Sequence, residues 1–544
     1  MPASRARALL ALAPSVLAQD WTNLGGNAER NGQSPAVGPA SVQELWSNTD
    51  DFSIIAWTPF VADGRVFTVR ESAFPQGGGP AGDALVAYDL DSGAELWRRT
   101  LDFGGDPATE WIAWIAGARD GRVYASRSAH LKPQPMQAFD AATGEPTWTS
   151  ALATQAFAYD GVVFAQDGDL YVGDWINVAR IDAEDGSTVW SATRSCPFSG
   201  NCGVAASENG VYIDQPAPGG QVVTKLDPAT GAELYSSDVM PGFTDQNAPF
   251  LAPGARTVYF SRTQNNPDVD ELYAFGDTGA ALVTRWHRPV RWTTSHEHGI
   301  GLDGSIYTFT PSDELVRLDP ATGNVMSSAG VLAPLGGPNA SPKTAVDALG
   351  RVYVSNGWGG TPASYGRLWA FEADLGTSLF TLDLDRQNNG GPALAARGTL
   401  VVADRTGVRA YREEGPLGTP FCVATPTSCG GAASISAFGS EHLANKNLVL
   451  SADGVPDQPG IFFFGTSEIQ VPFGNGFQCV GGGDIDRLPV VRGSGCRMTC
   501  EVDFAARAAL GLGPGTWKFQ AWFRDPAAGG SAFNLSDGLS VTLY

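Results

Sequence analysis

An all-β fold is what the sequence predicts: an eight-bladed β-propeller followed by a small antiparallel β-sandwich-like domain. Three observations predict it, namely a strand signal that recurs eight times, a glycine turn that follows it in register, and a composition suited to short strands. The strand signal reads Gly64-Arg65-Val66-Phe67, Gly121-Arg122-Val123-Tyr124, Gly168-Asp169-Leu170-Tyr171, Gly210-Val211-Tyr212, Arg256-Thr257-Val258-Tyr259, Gly304-Ser305-Ile306-Tyr307, Gly350-Arg351-Val352-Tyr353 and Gly398-Thr399-Leu400-Val401. Successive copies lie about 42 to 57 residues apart, which is the spacing of propeller blades. With Gly 67, Pro 36 and only 17% charged residues, the chain suits many tight turns better than helices. No long amphipathic helix pattern is visible.

The turn signal is Asp-x-x-x-Gly-x-x-x-aromatic. It runs from Asp89 to Trp97 with Gly93, from Asp140 to Trp148 with Gly144, from Asp182 to Trp190 with Gly186, and from Asp227 to Tyr235 with Gly231. It then weakens: Leu272 to Gly279 is one residue short, Asp319 to Gly323 lacks the aromatic, and Glu372 to Phe380 with Gly376 substitutes both ends. The Asp and the Ser or Thr suit hydrogen bonds to the turn backbone, the Gly supplies a positive φ, and the aromatic can pack between sheets. Each unit is therefore two hairpins.

The eighth unit has inner strands, Pro392 to Ala403 and Thr406 to Tyr411, but no outer aromatic strand before the chain changes character at Pro416. The segment Ser41 to Ser47 copies the Glu95-Leu96-Trp97 pattern as Glu44-Leu45-Trp46. It is expected to join the last sheet, covering an open edge and tying the chain ends together. Seven blades with a stray strand is the alternative.

On these residues the chain resembles the pyrroloquinoline-quinone-type (PQQ-like) propeller repeats, whose pattern is close to Ala-x-Asp-x-x-Thr-Gly-x-x-x-Trp behind a Gly-x-Val-Tyr-Val strand. The resemblance covers about three quarters of the sequence. It implies the fold but not one function, because such repeats occur in quinoprotein dehydrogenases, in an outer-membrane assembly lipoprotein and in many secreted propellers with no known activity. A quinoprotein dehydrogenase would be expected to cap its quinone with adjacent cysteines and to bind calcium beside a catalytic Asp. The sequence has no adjacent Cys-Cys pair and offers no match for the Asp or the calcium ligands. The reading is therefore that no cofactor is required, with PQQ and calcium as what the enzyme alternative would need.

The first 18 residues have a basic start, Arg5 and Arg7, a short apolar run from Ala8, and Val16-Leu17-Ala18 before Gln19. That pattern reads as a signal peptide. The apolar run is too short to span a bilayer, so a secreted or periplasmic, monomeric protein is expected, with the propeller over 19–415 and a second domain over 416–544. A net charge of -22 disfavours nucleic acid, a polyanion that this surface would repel. Two oxygen-rich loops, Asn265 to Glu271 and Asp383 to Asn389, have donors of the kind calcium takes but no EF-hand spacing.

In an oxidising compartment close cysteines pair. Cys196 and Cys202 are the expected disulfide, and Cys422, Cys429, Cys479, Cys496 and Cys500 are an odd set whose pairing the sequence leaves open. From Cys422 on, short strands such as Gly460 to Gly465 and Thr516 to Asp525 are separated by Gly and Pro turns, and Trp517, Phe519, Ala521 and Phe523 alternate onto one face. This part resembles a C-terminal domain of secreted planctomycete and myxobacterial proteins, on Pro472 to Cys479, Arg487-Leu488-Pro489, Trp517 to Pro526 and Phe533 to Gly538. The resemblance implies export and leaves attachment, glycan contact and sorting open.

Binding is expected where inner strands begin, because loops converge there. Aligning the repeats places Trp57, Trp114, Cys202, Glu297 and Lys343 at equivalent positions, and Trp57, Trp114, Glu297 and Lys343 are the ligand-binding candidates. His296 and His298 flank Glu297, so that on a strand both imidazoles would share one face and could share a metal. No third ligand is visible. Trp111 and Trp114 could stack on a planar ligand or sugar, or wedge between blades. The function expected is a non-catalytic binding scaffold for a protein, glycan or cell-surface partner. The alternative is a quinone- or metal-dependent dehydrogenase.

Overall fold

The structure is a computed structural model. It describes residues 21–49, 53, 58–70, 83–101, 110–129, 133–154, 162–174, 177–194, 203–241, 248–254, 256–262, 270–291, 298–333, 335, 341–358, 366–384, 389–412, 417–438, 441, 443, 448–483, 485–502 and 512–543. The chain divides into two compact units, Met1–Arg412 and Glu413–Tyr544.

In the first unit the described residues form four-stranded antiparallel sheets in chain order over 60–101, 110–154, 162–193, 250–289, 299–331 and 341–384. The sheet over 205–236 adds a fifth short strand, Met240–Pro241. The last sheet takes three strands from 390–412 and its fourth from the N-terminal strand Gln43–Asn48, which pairs antiparallel with Val408–Arg412. Hereafter the sheets are numbered one to eight in this order. Several of their first strands are short and wholly buried, as in Phe60–Ala62 and Val162–Phe164, while fourth strands such as Leu282–Pro289 expose alternate residues. Burial on both faces explains why the first strands read as unbroken apolar runs and only the outer ones alternate. Neighbouring sheets pack face to face, and the eighth meets the first: Gly391 N donates to Thr58 Oγ1 at 3.3 Å, and Arg412 pairs with Asp91 at 2.9 Å.

The repeated turn performs the same task in most copies, though in the seventh the positive φ, 62°, falls on Leu375 and not on Gly376. Asp140 Oδ1 accepts from the backbone N–H of Ala142 and Thr143 and from the Thr143 hydroxyl at 2.8 to 3.0 Å, and these bonds hold its carboxyl below its ordinary pKa. Gly144 then turns the chain at φ 70°. The aromatic at the end of the motif reaches the next turn: Trp97 Nε1 donates to Ala141 O at 3.0 Å, Trp148 to Ala183 O, Trp190 to Pro228 O, Trp286 to Pro320 O, and Trp46 of the N-terminal strand to Leu90 O. Each indole lies over the glycine of the turn it reaches. A Cβ on Gly144 would sit 2.6 Å from the Trp97 ring. Between sheets four and five this lock is replaced by Tyr235, whose hydroxyl donates to Asp277 at 2.7 Å while Lys225 Nζ bonds both, at 3.0 and 2.8 Å.

Two glycines separate the backbone requirement from the packing requirement. Gly144→Ala should lower stability by about 2 to 4 kcal/mol, the sum of a left-handed Cβ and an overpacked indole. Gly121, at φ 74° with open space around its missing Cβ, should cost about 1 to 2 kcal/mol on the same change. Thermal melts of both variants check this; equal losses would mean that the indole does not constrain Gly144.

In the second unit a five-stranded sheet (Thr419–Phe421, Phe533–Leu543, Gly515–Arg524, Pro459–Gly465, Asp486–Arg492, in spatial order) and a three-stranded sheet (Ser434–Phe438, Val449–Asp453, Arg497–Glu501) share one core. Phe462, Phe464, Phe519, Phe523, Leu450 and Met498 fill it. Disulfides Cys422–Cys479 and Cys429–Cys496 fasten the first stretch of this unit to the hairpin of Ser467–Phe473 and Gly476–Gly481 and to the turn at Cys496. Cys500 is buried in the core. Cys196 and Cys202 lie outside the described residues.

Candidate functional site

The first strands define two ends of the propeller unit: an upper end where they begin and a lower end where they finish. At the upper end, polar and charged side chains, most of them buried, join neighbouring sheets. Asp83, at the start of a strand of sheet one, accepts from Arg127 of sheet two at 2.8 Å and from Ala113 N at 3.1 Å. Arg194, just beyond sheet three, pairs with Asp214 of sheet four at 3.3 Å and also donates to the Asp214 carbonyl, while Gln221 Nε2 donates to the carboxylate at 2.9 Å. Arg291 pairs with Asp313 at 2.6 Å across sheets five and six, Asn389 bonds Asn356 at 2.8 Å across seven and eight, and Arg70 donates to Asp404 O at 3.1 Å across one and eight. Burial raises the carboxyls of Asp83 and Asp214 above their ordinary range even beside their arginines.

Trp114 lies on Glu110–Arg119 and is buried, with no hydrogen-bond partner for its Nε1 among the described residues. Trp111 is on the same strand. Lys343 lies on Ser341–Val346 opposite Ser355, and it too is buried. His298 is buried just before the first strand of sheet six and stacks on Phe250 of sheet five, ring centroids 4.7 Å apart. Burial pushes its imidazole down to about 3, so it is neutral at pH 7. Trp57, His296, Glu297 and Cys202 lie outside the described residues. Among the described residues no three His, Cys, Asp or Glu side chains converge as a metal site would require. Of the oxygen-rich loops, Glu271 bonds His287 and Tyr273, and Asp383 pairs with Arg367; residues 265–269 and 385–388 lie outside the described residues.

The lower end holds what sequence reasoning missed. Residues 21–39 run beneath the first strands and satisfy their backbone groups in turn. Trp21 and Val61 exchange two bonds of 2.9 Å, Ala118 N donates to Thr22 O, Ala206 N to Ala28 O, Leu251 N to Glu29 O, Ile300 N to Asn31 O, and Val346 N to Gly32 O, all at 2.7 to 2.9 Å. Sheets one, two, four, five, six and seven are thus bonded to one segment. Gly32 is required there: at φ 74° its Cβ would lie 2.7 Å from the Thr344 carbonyl. The available signal was the density of Asn and Gly in Asn23 to Gly32, which marks a chain that turns often. Beside the segment is a cavity of about 690 Å³ lined by Glu29, Arg119, Asp167, Tyr171, Arg180 and Glu208 among others. Its cations are engaged, Arg180 with Asp169 at 2.8 Å and with Asp167, and Arg119 with Ala165 O at 3.1 Å. Burial, with Glu208 adding to it, raises the Glu29 carboxyl.

The family profile described as outer membrane protein assembly factor BamB matches residues 81–329. Over these residues the chain has PQQ-like β-propeller repeats. The propeller is also similar to two solved structures. BamB from Moraxella catarrhalis has 14% identity, covers 68% of this chain and 100% of its own, and superposes with a TM-score of 0.45. The quinohemoprotein alcohol dehydrogenase from Comamonas testosteroni has 14% identity, coverage of 75% and 83%, and a TM-score of 0.40. Neither likeness speaks to activity. No curated protein matches the sequence. Among the described residues no helix is long and apolar enough to cross a membrane.

Proposed function

We propose that this is an exported, non-catalytic propeller that binds a protein, glycan or cell-surface partner. The mature chain begins after Ala18, an eight-bladed ring spans 19–415 with Gln43–Asn48 as the outer strand of its last blade, and 416–544 is an accessory β-sandwich. The observation that carries this reading is how the propeller uses its buried polar groups. At the upper end they join one sheet to the next, as Asp83–Arg127 and Arg194–Asp214 do, and at the lower end the first strands are bonded to residues 21–39. These groups hold the ring together, which leaves its surface and loops for partner contact. The two disulfides support an oxidising compartment, and the acidic charge supports a partner other than nucleic acid. The name of the matching family profile, an assembly factor, favours a protein partner.

The rival reading is a dehydrogenase that uses pyrroloquinoline quinone. It requires the mature protein to retain the quinone with calcium through gel filtration and to reduce a dye with an alcohol or sugar as donor. The expected result is neither retention nor turnover across a substrate panel. Quinone retention with turnover would overturn the binding reading.

A further inference from the structure

The second unit contains a cavity that the propeller reading does not use. The five-stranded sheet has two faces, and the one away from the core is only partly covered. The hairpin Ser467–Phe473 and Gly476–Gly481 crosses it, held by Cys422–Cys479, by Cys479 N donating to Gln520 Oε1 at 2.8 Å, and by Gln520 Nε2 donating to Phe477 O at 2.9 Å. Beside the hairpin remains a groove of about 440 Å³ whose lining includes Ile461, Phe473, Gln478, Ile485, Trp522 and Phe533. Phe533 packs against Trp522 at 5.5 Å and against Phe473 at 5.2 Å, with ring planes inclined by 39° and 56°, so the three make one curved wall. Gly474 is what permits this: a Cβ there would lie on the Phe533 ring.

Charge points to a neutral ligand. Arg487 is the only charged side chain among the described lining residues, but it is already engaged, and Asp486 beside it carries the opposite sign. The lining is thus left with no unpaired charge to select an ion, and the chain's net charge of -22 repels a polyanion. The volume is that of a small-ligand site, yet the groove is open, with Phe473 46% exposed. An open wall is poorly suited to an acyl chain, because each methylene left in water forfeits about 0.8 kcal/mol of burial. A peptide strand is no better served. The sheet edge beside the groove, Asp486–Arg492, contains Pro489 and pairs across a break in register between Ile461 and Phe463, and both features blunt strand addition. What fits is a ring with one C–H face and hydroxylated edges, whose face lies on the negative faces of the aromatic rings while its edges stay hydrated. Gln478 supplies the matching polar group. Its Nε2 donates to Val480 O at 3.0 Å, which fixes the amide, and its Oε1 accepts from none of the described residues. That oxygen can take a hydroxyl proton.

We propose that this groove binds neutral pyranose residues of a polysaccharide, with Phe473, Trp522 and Phe533 against the sugar rings and Gln478 Oε1 accepting from a hydroxyl. The proposal rests on the partner-binding reading and deepens it by giving the second unit a ligand of its own. Titration calorimetry of the full mature protein tests it, with neutral gluco-, manno- and galacto-oligosaccharides, the C6-carboxyl form of each, and a fatty acid. At least one neutral sugar is expected to bind at millimolar concentration or below, more tightly than its carboxyl form and with the same affinity in low and high salt. Phe473→Ala, at a hairpin position half open to solvent, should weaken that binding about fivefold to tenfold through the lost ring contact. Gln478→Leu, which keeps the side chain's bulk without its amide, should weaken it about threefold to tenfold. Circular dichroism matching the parent's shows that each variant is folded. Binding of none of the neutral sugars, tighter binding of a carboxyl form or of the fatty acid, affinity that falls with salt, or folded variants that bind as the parent does would each overturn the proposal. None of these outcomes bears on quinone retention, so failure here leaves the propeller reading standing.

Discussion

Arg194→Met should destabilise the propeller by about 3 to 5 kcal/mol, the cost of leaving one member of a buried ion pair without its partner. Both side chains are almost wholly inaccessible, 1% each. The guanidinium touches Asp214 at both its carboxylate and its backbone carbonyl, so the change removes a cross-link between sheets three and four as well as a charge. What remains on the carboxylate is Gln221 at 2.9 Å, which cannot compensate a buried anion, and Asp214 will bind a proton at a still higher pH than it does now. The sign of the pH dependence follows. A carboxyl whose folded pKa is raised adds stability that is complete below its unfolded value near 3.8 and is lost as pH rises through the folded value. The Arg194→Met deficit should therefore shrink in acid and be largest at neutral pH. Replacing both partners, as Arg194→Met with Asp214→Leu, should recover much of the loss. Denaturant titrations of the propeller's unfolding at two pH values check all three statements. A single variant within about 0.5 kcal/mol of the parent would show that the pair does not join the sheets.

The sequence made the repeats legible because they obey local rules. Asp140, Thr143 and Gly144 satisfy one turn among themselves, and Trp97 needs only to arrive one period later to meet it, so the spacing alone carries the geometry. The N-terminal strand was legible for the same reason: Glu44-Leu45-Trp46 copies an outer strand, and the structure pairs it with Val408–Arg412. The lower segment was not legible. Its contacts run from carbonyls of residues 22–32 to strand N–H groups, and a backbone contact leaves no residue type behind to read. The charged pairs escaped for a different reason. Asp83 and Arg127 are 44 residues apart, about one repeat, and nothing in either position distinguishes a buried charge at a strand end from the many exposed ones. For the candidate site, Trp114 and Lys343 were found by alignment, but alignment gives a position along a strand and not whether packing encloses the side chain there. Both are enclosed. In the second unit, alternation over Trp517 to Phe523 identified the core face, whereas the opposite face, with Trp522 and Gln520, is organised by a hairpin distant in sequence.

Acid should destabilise this protein below about pH 6.5 with His298 as an identifiable contributor. The unfolded imidazole has a pKa near 6.5, and burial against Phe250 brings the folded one to about 3. Between these values the unfolded chain holds a proton at this position that the folded chain excludes. Stability from a depressed group is present above the unfolded pKa and falls as pH drops towards the folded one, at up to about 1.4 kcal/mol per pH unit. At pH 4 the contribution lost is roughly 3 kcal/mol. Asp83, Asp214 and Glu29, whose carboxyls are raised, act in the opposite sense, while lowered carboxyls such as Asp140 and Asp277 act in the same sense, so the whole protein's acid limb does not report the histidine alone. The comparison that isolates His298 is therefore between variants. His298→Leu removes the proton site while keeping an apolar contact to Phe250; it should cost about 1 to 2 kcal/mol at pH 7.5 through lost ring stacking. At pH 4 it should be as stable as the parent or more so, with the two pH curves crossing between. Parallel curves would mean that the imidazole takes up a proton in the folded state without penalty, as a solvated or ligand-facing histidine would, and would return this position to the upper-end binding surface.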